Sequence, residues 1–174
     1  MTVGALAAHL VRATGATLAY LDRTDPTAQP PGELVTPVTY FHFAVDSPIH
    51  DQIKDVSASE AEIGYQATLD KFTVLIDDMA QRFATEPEGR LLGALQGEMM
   101  TLDDFCRTRL IEILTHLDDL AVSVGVERPA TNPEAVGIVV DIVTGIARHV
   151  HGDWTVLHAL TRAERCEADV FPVF

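Results

Sequence analysis

Positive charge is scarce in this chain, which carries 12 Lys and Arg residues against 26 Asp and Glu and has a net charge of −14. Affinity for nucleic acid depends mainly on neutralising phosphates, so this balance disfavours nucleic acid, and it equally disfavours anionic membrane surfaces. Long apolar runs are absent as well: no stretch reaches eighteen residues, and the start lacks a basic segment. The sequence therefore predicts neither a membrane span nor a signal peptide.

Cysteine is almost absent too, with Cys106 and Cys166 far apart in the sequence. Two distant cysteines form neither a disulfide framework nor a CxxC metal knuckle, and a cytoplasmic protein with reduced thiols is expected. Cys106 lies off the helical face discussed below, so a small core residue is favoured over a nucleophile. Glycine-rich phosphate loops and Gly-x-Ser-x-Gly elbows are missing from the sequence.

Aliphatic residues dominate what is present: 47% of the 174 residues are apolar and only 6% are aromatic. A chain of this length can bury one substantial core. It shows no internal repeat, low-complexity tract or interdomain linker. We therefore expect a single domain over residues 1–174.

Hydrophobic periodicity and capping signals predict four substantial helices. Thr2, Thr101 and Asn132 are placed to cap three of them, and Pro133 suits a first helical position. The predicted ranges are 3–21, 59–83, 101–124 and 133–149.

Less regular segments separate these helices. The stretch 35–43 is rich in β-branched and aromatic residues but contains Pro37, so it is interpreted as extended chain or a short edge strand. A short helix is expected around 47–55, a hairpin around Gln96 and Gly97, and a last helix over 154–165 with Trp154 in the core. Together these elements predict an all-α bundle.

One helix face carries the polar side chains Arg109, Glu112, His116 and Asp119, spaced by one helical turn each. Glu112 and His116 stand at i and i+4, so they can form two arms of a metal site. The same pair is also common on solvated helix faces, and a third ligand would have to come from another helix.

His9 supplies a candidate for that third ligand, since it lies among apolar residues of the first predicted helix. An unsatisfied buried imidazole costs about 1–3 kcal/mol, so it needs a partner. A metal ion, a carboxylate or carbonyl, or an interhelical position facing water would each satisfy it. His149 and His151 cannot share a helical face, and capping a helix C-terminus is a sufficient role for them.

Three blocks resemble the mycothiol-dependent maleylpyruvate isomerase metal-binding domain of the DinB-like superfamily. Residues 2–10 are similar to its histidine signature, and residues 100–125 resemble its Arg-x-x-Glu-x-x-x-His-x-x-Asp-Leu block. Residues 146–153 are similar to its Arg-x-x-His-Gly-Asp region. The resemblance extends over nearly the whole chain, and the second block is the most specific.

This resemblance implies a DinB-like antiparallel four-helix bundle, here with a short extra C-terminal helix. It also implies one divalent metal held by His9, Glu112 and His116. Zinc suits two imidazoles and a carboxylate best, while nickel, iron and manganese are alternatives by ligand type. Asp119 is expected to orient an imidazole from behind. Arg109 is expected to pair with Glu112 or to reach an anionic substrate, against the alternative of a surface ion pair.

Two departures from the family pattern limit what the resemblance implies. The helix that normally precedes the histidine signature is absent, which predicts either a homodimer that covers the exposed apolar face or a misplaced start codon. A separate C-terminal domain is also absent, which places the isomerase reaction itself in doubt.

Two functional classes therefore stay open. The first is a metal-dependent enzyme that acts on a small molecule or thiol conjugate with a mycothiol-type thiol, by transfer, isomerisation or metal-assisted hydrolysis. The second is a binding or stress-response module that metal stabilises without turnover.

Overall fold

Seven α-helices and one small hairpin make up the part of the chain that the computed structural model describes, which is residues 1–42, 49–93, 97–162, 164 and 170–173. The helical character predicted from the sequence is confirmed. The helices are α1 (Val3–Arg23), α2 (Pro37–His42), α3 (Ile49–Glu60), α4 (Tyr65–Phe83), α5 (Leu102–Val124), α6 (Pro133–His151) and α7 (Asp153–Thr161).

The first helix, α1, lies at the centre of the fold and packs against α3, α4 and α5. The Thr2 hydroxyl caps it by accepting a hydrogen bond from the backbone N–H of Ala5 at 3.2 Å. Its buried side includes Leu6, His9 and Leu21, which are spaced for one helical stripe. A histidine within this stripe must face another helix rather than solvent.

The two long helices α5 and α6 begin within one residue of the predicted positions 101 and 133. Thr101 caps α5 by accepting from the N–H of Asp104 at 3.0 Å, and Asn132 caps α6 by accepting from the N–H of Glu134 at 2.9 Å. The α5 helix ends at Gly125, whose φ of 71° is left-handed. These capping signals act locally, which explains why the sequence alone located both helix starts.

The prediction of an extended segment over 35–43 is wrong, because residues 37–42 form α2. Pro37 stands at the first helical position, where its fixed φ suits a helix. Thr36 and Thr39 form a reciprocal cap, each hydroxyl accepting from the other residue's N–H at 3.2 and 3.0 Å. This capping outweighs the β-propensity of the aromatic residues that follow. Residue 43 lies outside the described residues.

The single helix predicted over 59–83 is also wrong, because a 3₁₀ turn at Ala61–Ile63 and Gly64 divide it into α3 and α4. Gly64 has a φ of 86°, a conformation that glycine adopts without strain. The break turns α4 so that Ala67, Phe72 and Leu75 are half-buried. Helix α3 extends to Glu60, beyond the predicted 47–55, and residues 47–48 lie outside the described residues.

The predicted hairpin is present, with β1 (Leu91–Gly93) antiparallel to β2 (Met99–Thr101) and Leu92 opposite Met100. Gln96 falls outside the described residues, and Gly97 has a φ of 84°. The buried Arg90 guanidinium donates to the carbonyls of Leu21 and Thr24 at 3.4 and 2.8 Å. Arg90 thereby joins the hairpin to the end of α1, just before the chain enters α5.

The last described helix, α7, packs on α6 and is shorter than the predicted 154–165. Val156 faces inward, whereas Trp154 is 72% exposed, so the prediction of a core tryptophan is wrong. Residues two apart on a helix point in widely different directions, so the packing of Val156 against Ala147 and Val170 leaves Trp154 uncovered. None of the helices in the described part of the chain has the length and apolar character needed to cross a bilayer.

Candidate metal centre

The packing of α1 on α5 brings His9 next to Glu112 and His116. The Nε2 atom of His9 lies 3.3 Å from Oε2 of Glu112, and the Nε2 atom of His116 lies 3.5 Å from the same oxygen. One ligand atom from each residue falls within 4.8 Å of the other two. The three residues that sequence reasoning selected are therefore neighbours in space.

These three side chains differ in their access to solvent. His9 is buried, and its ring meets that of His116 edge to face at a centroid distance of 4.8 Å. Glu112 and His116 are only partly covered, with side chains 23% and 20% exposed. The cluster thus has one side sealed by α1 and another that a small molecule can reach.

Asp119 lies behind His116, where its carboxylate Oδ2 is 2.9 Å from the imidazole Nδ1. This contact requires a proton on Nδ1, which then donates to the carboxylate and leaves Nε2 directed at Glu112. The hydrogen bond to Glu112 raises the pKa of His116, and Asp119 raises it further against the opposing effect of burial. A carboxylate that orients an imidazole in this way is typical of metal centres.

Glu112 receives two imidazole contacts on one carboxylate oxygen. Burial by itself raises the pKa of Glu112, but the hydrogen bonds from His116 and His9 and the charge of Arg109 together bring it well below its ordinary value. Glu112 is consequently ionised throughout the neutral range. A charged carboxylate is the form that both a metal ion and an imidazolium require.

Arg12 is a member of the cluster that sequence reasoning missed. Its Nη2 atom donates to Nδ1 of His9 at 3.1 Å and to the Ser57 hydroxyl at 3.2 Å, and its Nε atom lies 3.3 Å from Glu60. Because arginine only donates, Nδ1 of His9 is unprotonated in this arrangement and Nε2 carries the proton. The spacing of Arg12 three residues after His9 is the sequence signal that could have identified it.

Arg109 does not form the predicted pair with Glu112. Among the described residues it has no carboxylate oxygen within 4.0 Å, and its Nε atom donates to the Thr108 hydroxyl at 3.1 Å. The guanidinium carbon lies 4.8 Å from the centre of the Phe105 ring and 5.8 Å from that of Tyr40. It is therefore an aromatic-supported cation rather than part of a surface ion pair.

A cavity of about 830 Å³ opens beside these residues, and His9, Glu112, His116 and Arg109 all line it. Tyr40 also lines this cavity, and burial raises the pKa of its hydroxyl. Sequence reasoning missed Tyr40 because it assigned the segment to extended chain. The cavity has the size of small-molecule sites in proteins, about 300–1,000 Å³.

The donor set fits a divalent metal ion. Zinc bonds of about 2.0–2.1 Å in a tetrahedron place neighbouring donor atoms about 3.3 Å apart, close to the 3.3 and 3.5 Å found around Oε2 of Glu112. Two imidazoles, one ionised carboxylate and an acceptor behind His116 complete the chemical match. Metal coordination by Nε2 of His9 would need the proton on Nδ1, so Arg12 would have to release that atom.

The other candidate groups lie apart from this centre. Partial burial raises the pKa of the Cys106 thiol to about 11, which suits an unreactive, half-buried cysteine, and Cys166 lies outside the described residues. The Arg148 guanidinium pairs with Asp153 at 2.7 Å in the third motif block, and neither residue lines the cavity. Within the described ranges, only His9, Glu112 and His116 form a three-residue group of potential metal ligands.

Comparison with known families gives one match. The family model of the mycothiol maleylpyruvate isomerase N-terminal domain matches residues 2–121. This range contains all three candidate ligands together with Arg109 and Asp119, whereas the third motif block lies beyond it. Neither the curated proteins nor the solved structures give a match.

Proposed function

The chain belongs to the mycothiol maleylpyruvate isomerase N-terminal domain family, and we propose that it is a metal-dependent enzyme whose divalent ion is held by His9, Glu112 and His116. The observation that carries this proposal is the convergence of three donor atoms within 4.8 Å from two helices. The donors border a cavity large enough for a small-molecule substrate. We propose zinc as the metal because of the ligand types.

When bound, zinc would act as a Lewis acid and lower the pKa of a bound water or thiol to near neutrality. The protein's own contribution is to hold the donors in place. Asp119 is a positioning residue that fixes the tautomer of His116 through Nδ1. Arg109 lines the cavity close to Glu112 and is proposed to contact an anionic group of the substrate. We therefore assign Arg109 the catalytic role and Asp119 the supporting one.

The family description suggests a low-molecular-weight thiol as co-substrate, so we propose a mycothiol-type thiol and a small-molecule or thiol-conjugate substrate. The reaction would be thiol transfer, isomerisation or metal-assisted hydrolysis. We also propose that residues 1–174 form one domain, in which α1, α4, α5 and α6 correspond to the four helices of a DinB-like bundle. A cytoplasmic homodimer completes the proposal.

A second candidate function is a non-catalytic binding or stress-response module. The sequence predicted that metal stabilises such a module without turnover, whereas the observed contacts can also form a polar cluster without metal. The contact between Arg12 and Nδ1 of His9 favours it, because this tautomer directs the Nε2 proton of His9 at Glu112. In that case both imidazoles would serve Glu112 as hydrogen-bond donors, and the cluster would have a structural role.

Elemental analysis of the purified protein tests the main proposal. We expect about one zinc per chain in the wild type and a negligible amount in the double variant His9→Ala/His116→Ala. The double variant His151→Ala/His158→Ala is the matched control, since it removes two imidazoles outside the cluster. The proposal fails if the wild type, offered zinc, nickel, iron and manganese in turn, retains no more metal than the His9/His116 variant.

A further inference from the structure

Basic residues are concentrated around the cavity of an otherwise acidic protein. The chain has 12 Lys and Arg residues and a net charge of −14, yet both of its lysines and three arginines line this cavity. Glu60 and Glu112 are the acidic residues that line it, within the described part of the chain. The lining is thus locally cationic, opposite in sign to the molecule as a whole.

Three of these five basic side chains have no carboxylate partner. Arg12 pairs with Glu60 and Lys54 pairs with Asp51, both within 4.0 Å. For Arg23, Lys71 and Arg109, the described residues provide no carboxylate oxygen within that distance. The other described basic residues, apart from Arg162, each lie within 4.0 Å of a carboxylate oxygen; they are Arg82, Arg90, Arg107, Arg128 and Arg148. Unpaired cations therefore cluster at the cavity.

Two of the unpaired cations are held in position by aromatic rings. The Arg23 guanidinium carbon lies 3.9 Å from the centre of the Tyr20 ring, and Arg109 is supported by Phe105 and Thr108. A pre-positioned guanidinium loses little side-chain entropy on binding an anion. Arg109 is also close enough to lower the pKa of Glu112, which places its charge next to the metal centre.

The remaining lining is largely apolar. Val11, Ala16, Ile53, Val56 and Ile63 contribute hydrocarbon surface to the same cavity. A wholly polar ligand would leave these side chains without complementary contacts, whereas a ligand with an apolar body would cover them. Charge and hydropathy together define a ligand with two parts.

We propose that this cavity binds an amphipathic anion, with its carboxylate or phosphate head group at Arg109 and its hydrocarbon body along the apolar wall. Arg23 and Lys71 are exposed side chains of the same lining and attract the anion to the cavity. The assignment of this ligand as the substrate rests on the proposed function. Binding itself depends on the cations and does not need the metal.

Isothermal titration calorimetry with ten-carbon amphiphiles tests this proposal. Decanoate and decyl phosphate present the two head groups, and decyltrimethylammonium offers the same hydrocarbon body with the opposite charge. We expect at least one anion to bind about tenfold or more tightly than the cation, and the stronger of the two identifies the preferred head group. Equal binding of the cation and both anions, or no binding of either anion, would overturn the proposal.

Charge-neutralising variants locate the site. Arg109→Gln should weaken binding of the preferred anion about tenfold, and Lys71→Gln about threefold because that side chain is exposed. Arg162→Gln is the matched control, since it removes an unpaired cation outside the cavity and should leave affinity unchanged. Circular dichroism checks that each variant is folded. If Arg109→Gln is unfolded, Lys71→Glu and Arg23→Glu test the same cavity in its place. An equal loss in Arg162→Gln would refute this location.

Measuring zinc content and anion binding separately distinguishes the two proposals. Titrations are run on zinc-loaded protein and on protein treated with a chelator. If the wild type retains zinc but does not bind the anion, this inference is refuted and the proposed metal centre is unaffected. Anion binding that depends on Arg109 in protein unable to retain any divalent metal would support the inference and refute the proposed metal function.

Discussion

A single carboxylate oxygen, Oε2 of Glu112, contacts both imidazoles of the candidate centre. It lies 3.3 Å from Nε2 of His9 and 3.5 Å from Nε2 of His116. Two states compete for this arrangement. In one, protons on the imidazoles are shared with the carboxylate; in the other, a metal ion occupies the place of those protons. Their opposite dependence on pH separates them.

We predict that in chelator-treated protein the Glu112–His116 pair stabilises the fold most between about pH 4.5 and pH 6.5. These limits are the ordinary pKa values of a glutamate and a histidine side chain. The pKa of His116 is raised in the folded protein. Its contribution to the free energy of unfolding is therefore complete below pH 6.5 and is lost as the pH rises through the pKa of His116 in the folded protein. The pKa of Glu112 is lowered, so its contribution is lost only as pH falls below 4.5.

Urea denaturation of wild type and Glu112→Gln at pH 5.5 and pH 9 measures this contribution. We expect Glu112→Gln to cost about 1–2 kcal/mol at pH 5.5 and less at pH 9 in chelator-treated protein. With added zinc, the cost of Glu112→Gln should instead be larger at pH 9 than at pH 5.5. Protons compete with the metal for His116, so the stabilisation by zinc grows as the pH rises. A zinc effect that does not change with pH would contradict the assignment of His116 as a ligand.

The thiol of Cys106 gives a second prediction at the residue scale. Burial raises its pKa to about 11, so its thiolate population at pH 8 is small. In a Cys166→Ser variant, Cys106 is the only thiol, and we expect iodoacetamide to modify it about a hundredfold more slowly in native protein than in urea. Mass spectrometry follows the reaction, and equal rates in the two conditions would refute the prediction.

At the scale of elements, the close contact of α2 with α6 controls where Tyr40 enters the cavity. A Cβ atom added at Gly145 of α6 would lie 2.8 Å from Cγ2 of Val38, which is so close that the Val38 side chain or one of the two helices must shift. Gly137 lies on the same helix, and a Cβ atom there would meet nothing within 4 Å. The two glycines form a matched pair.

We predict that Gly145→Ala lowers the free energy of unfolding by about 1 kcal/mol, since crowding exceeds the gain in helix propensity. Gly137→Ala gains that propensity without crowding and should raise the free energy of unfolding by up to about 1 kcal/mol. Urea denaturation of both variants at one pH checks the signs. Equal stabilisation by both substitutions would show that α2 does not pack closely on α6.

At the scale of the whole molecule, polar and apolar surfaces are distributed unevenly. Cationic side chains surround the cavity, whereas α7 exposes Trp154, Leu157 and Leu160 to solvent. Trp154 and Leu160 are 72% and 62% exposed. Clustered apolar exposure of this kind is typical of surfaces that associate, and it supports the proposed homodimer.

We predict a dimer in size-exclusion chromatography with light scattering, and a monomer for Trp154→Glu/Leu157→Glu, because charges would be buried without partners at the interface. The matched control is Val122→Glu/Val124→Glu, which introduces the same charges at exposed apolar positions of α5. The control should stay dimeric. A monomeric wild type, or dissociation in both variants, would contradict an interface built on α7.

The amino-acid sequence was sufficient to predict the helices that have local start and stop signals. Thr101, Asn132 and Gly125 act within one turn of the backbone, so α5 and α6 were located without any tertiary information. It also placed Glu112, His116 and Asp119 on one face of one helix, because their spacing fixes that face. The ligand roles of Glu112 and His116 and the positioning role of Asp119 stay predictions.

Other features could not be predicted from the sequence, because they depend on packing between distant segments. His9 and Glu112 are 103 residues apart, and no local rule sets the 3.3 Å between them. The exposure of Trp154 likewise reflects which neighbours α7 meets. The cap at Thr36 and Thr39 and the break at Gly64 are different, because they carry local signals that the sequence prediction did not use. The cationic cavity is the strongest case, since its residues come from five helices and are unremarkable along the chain.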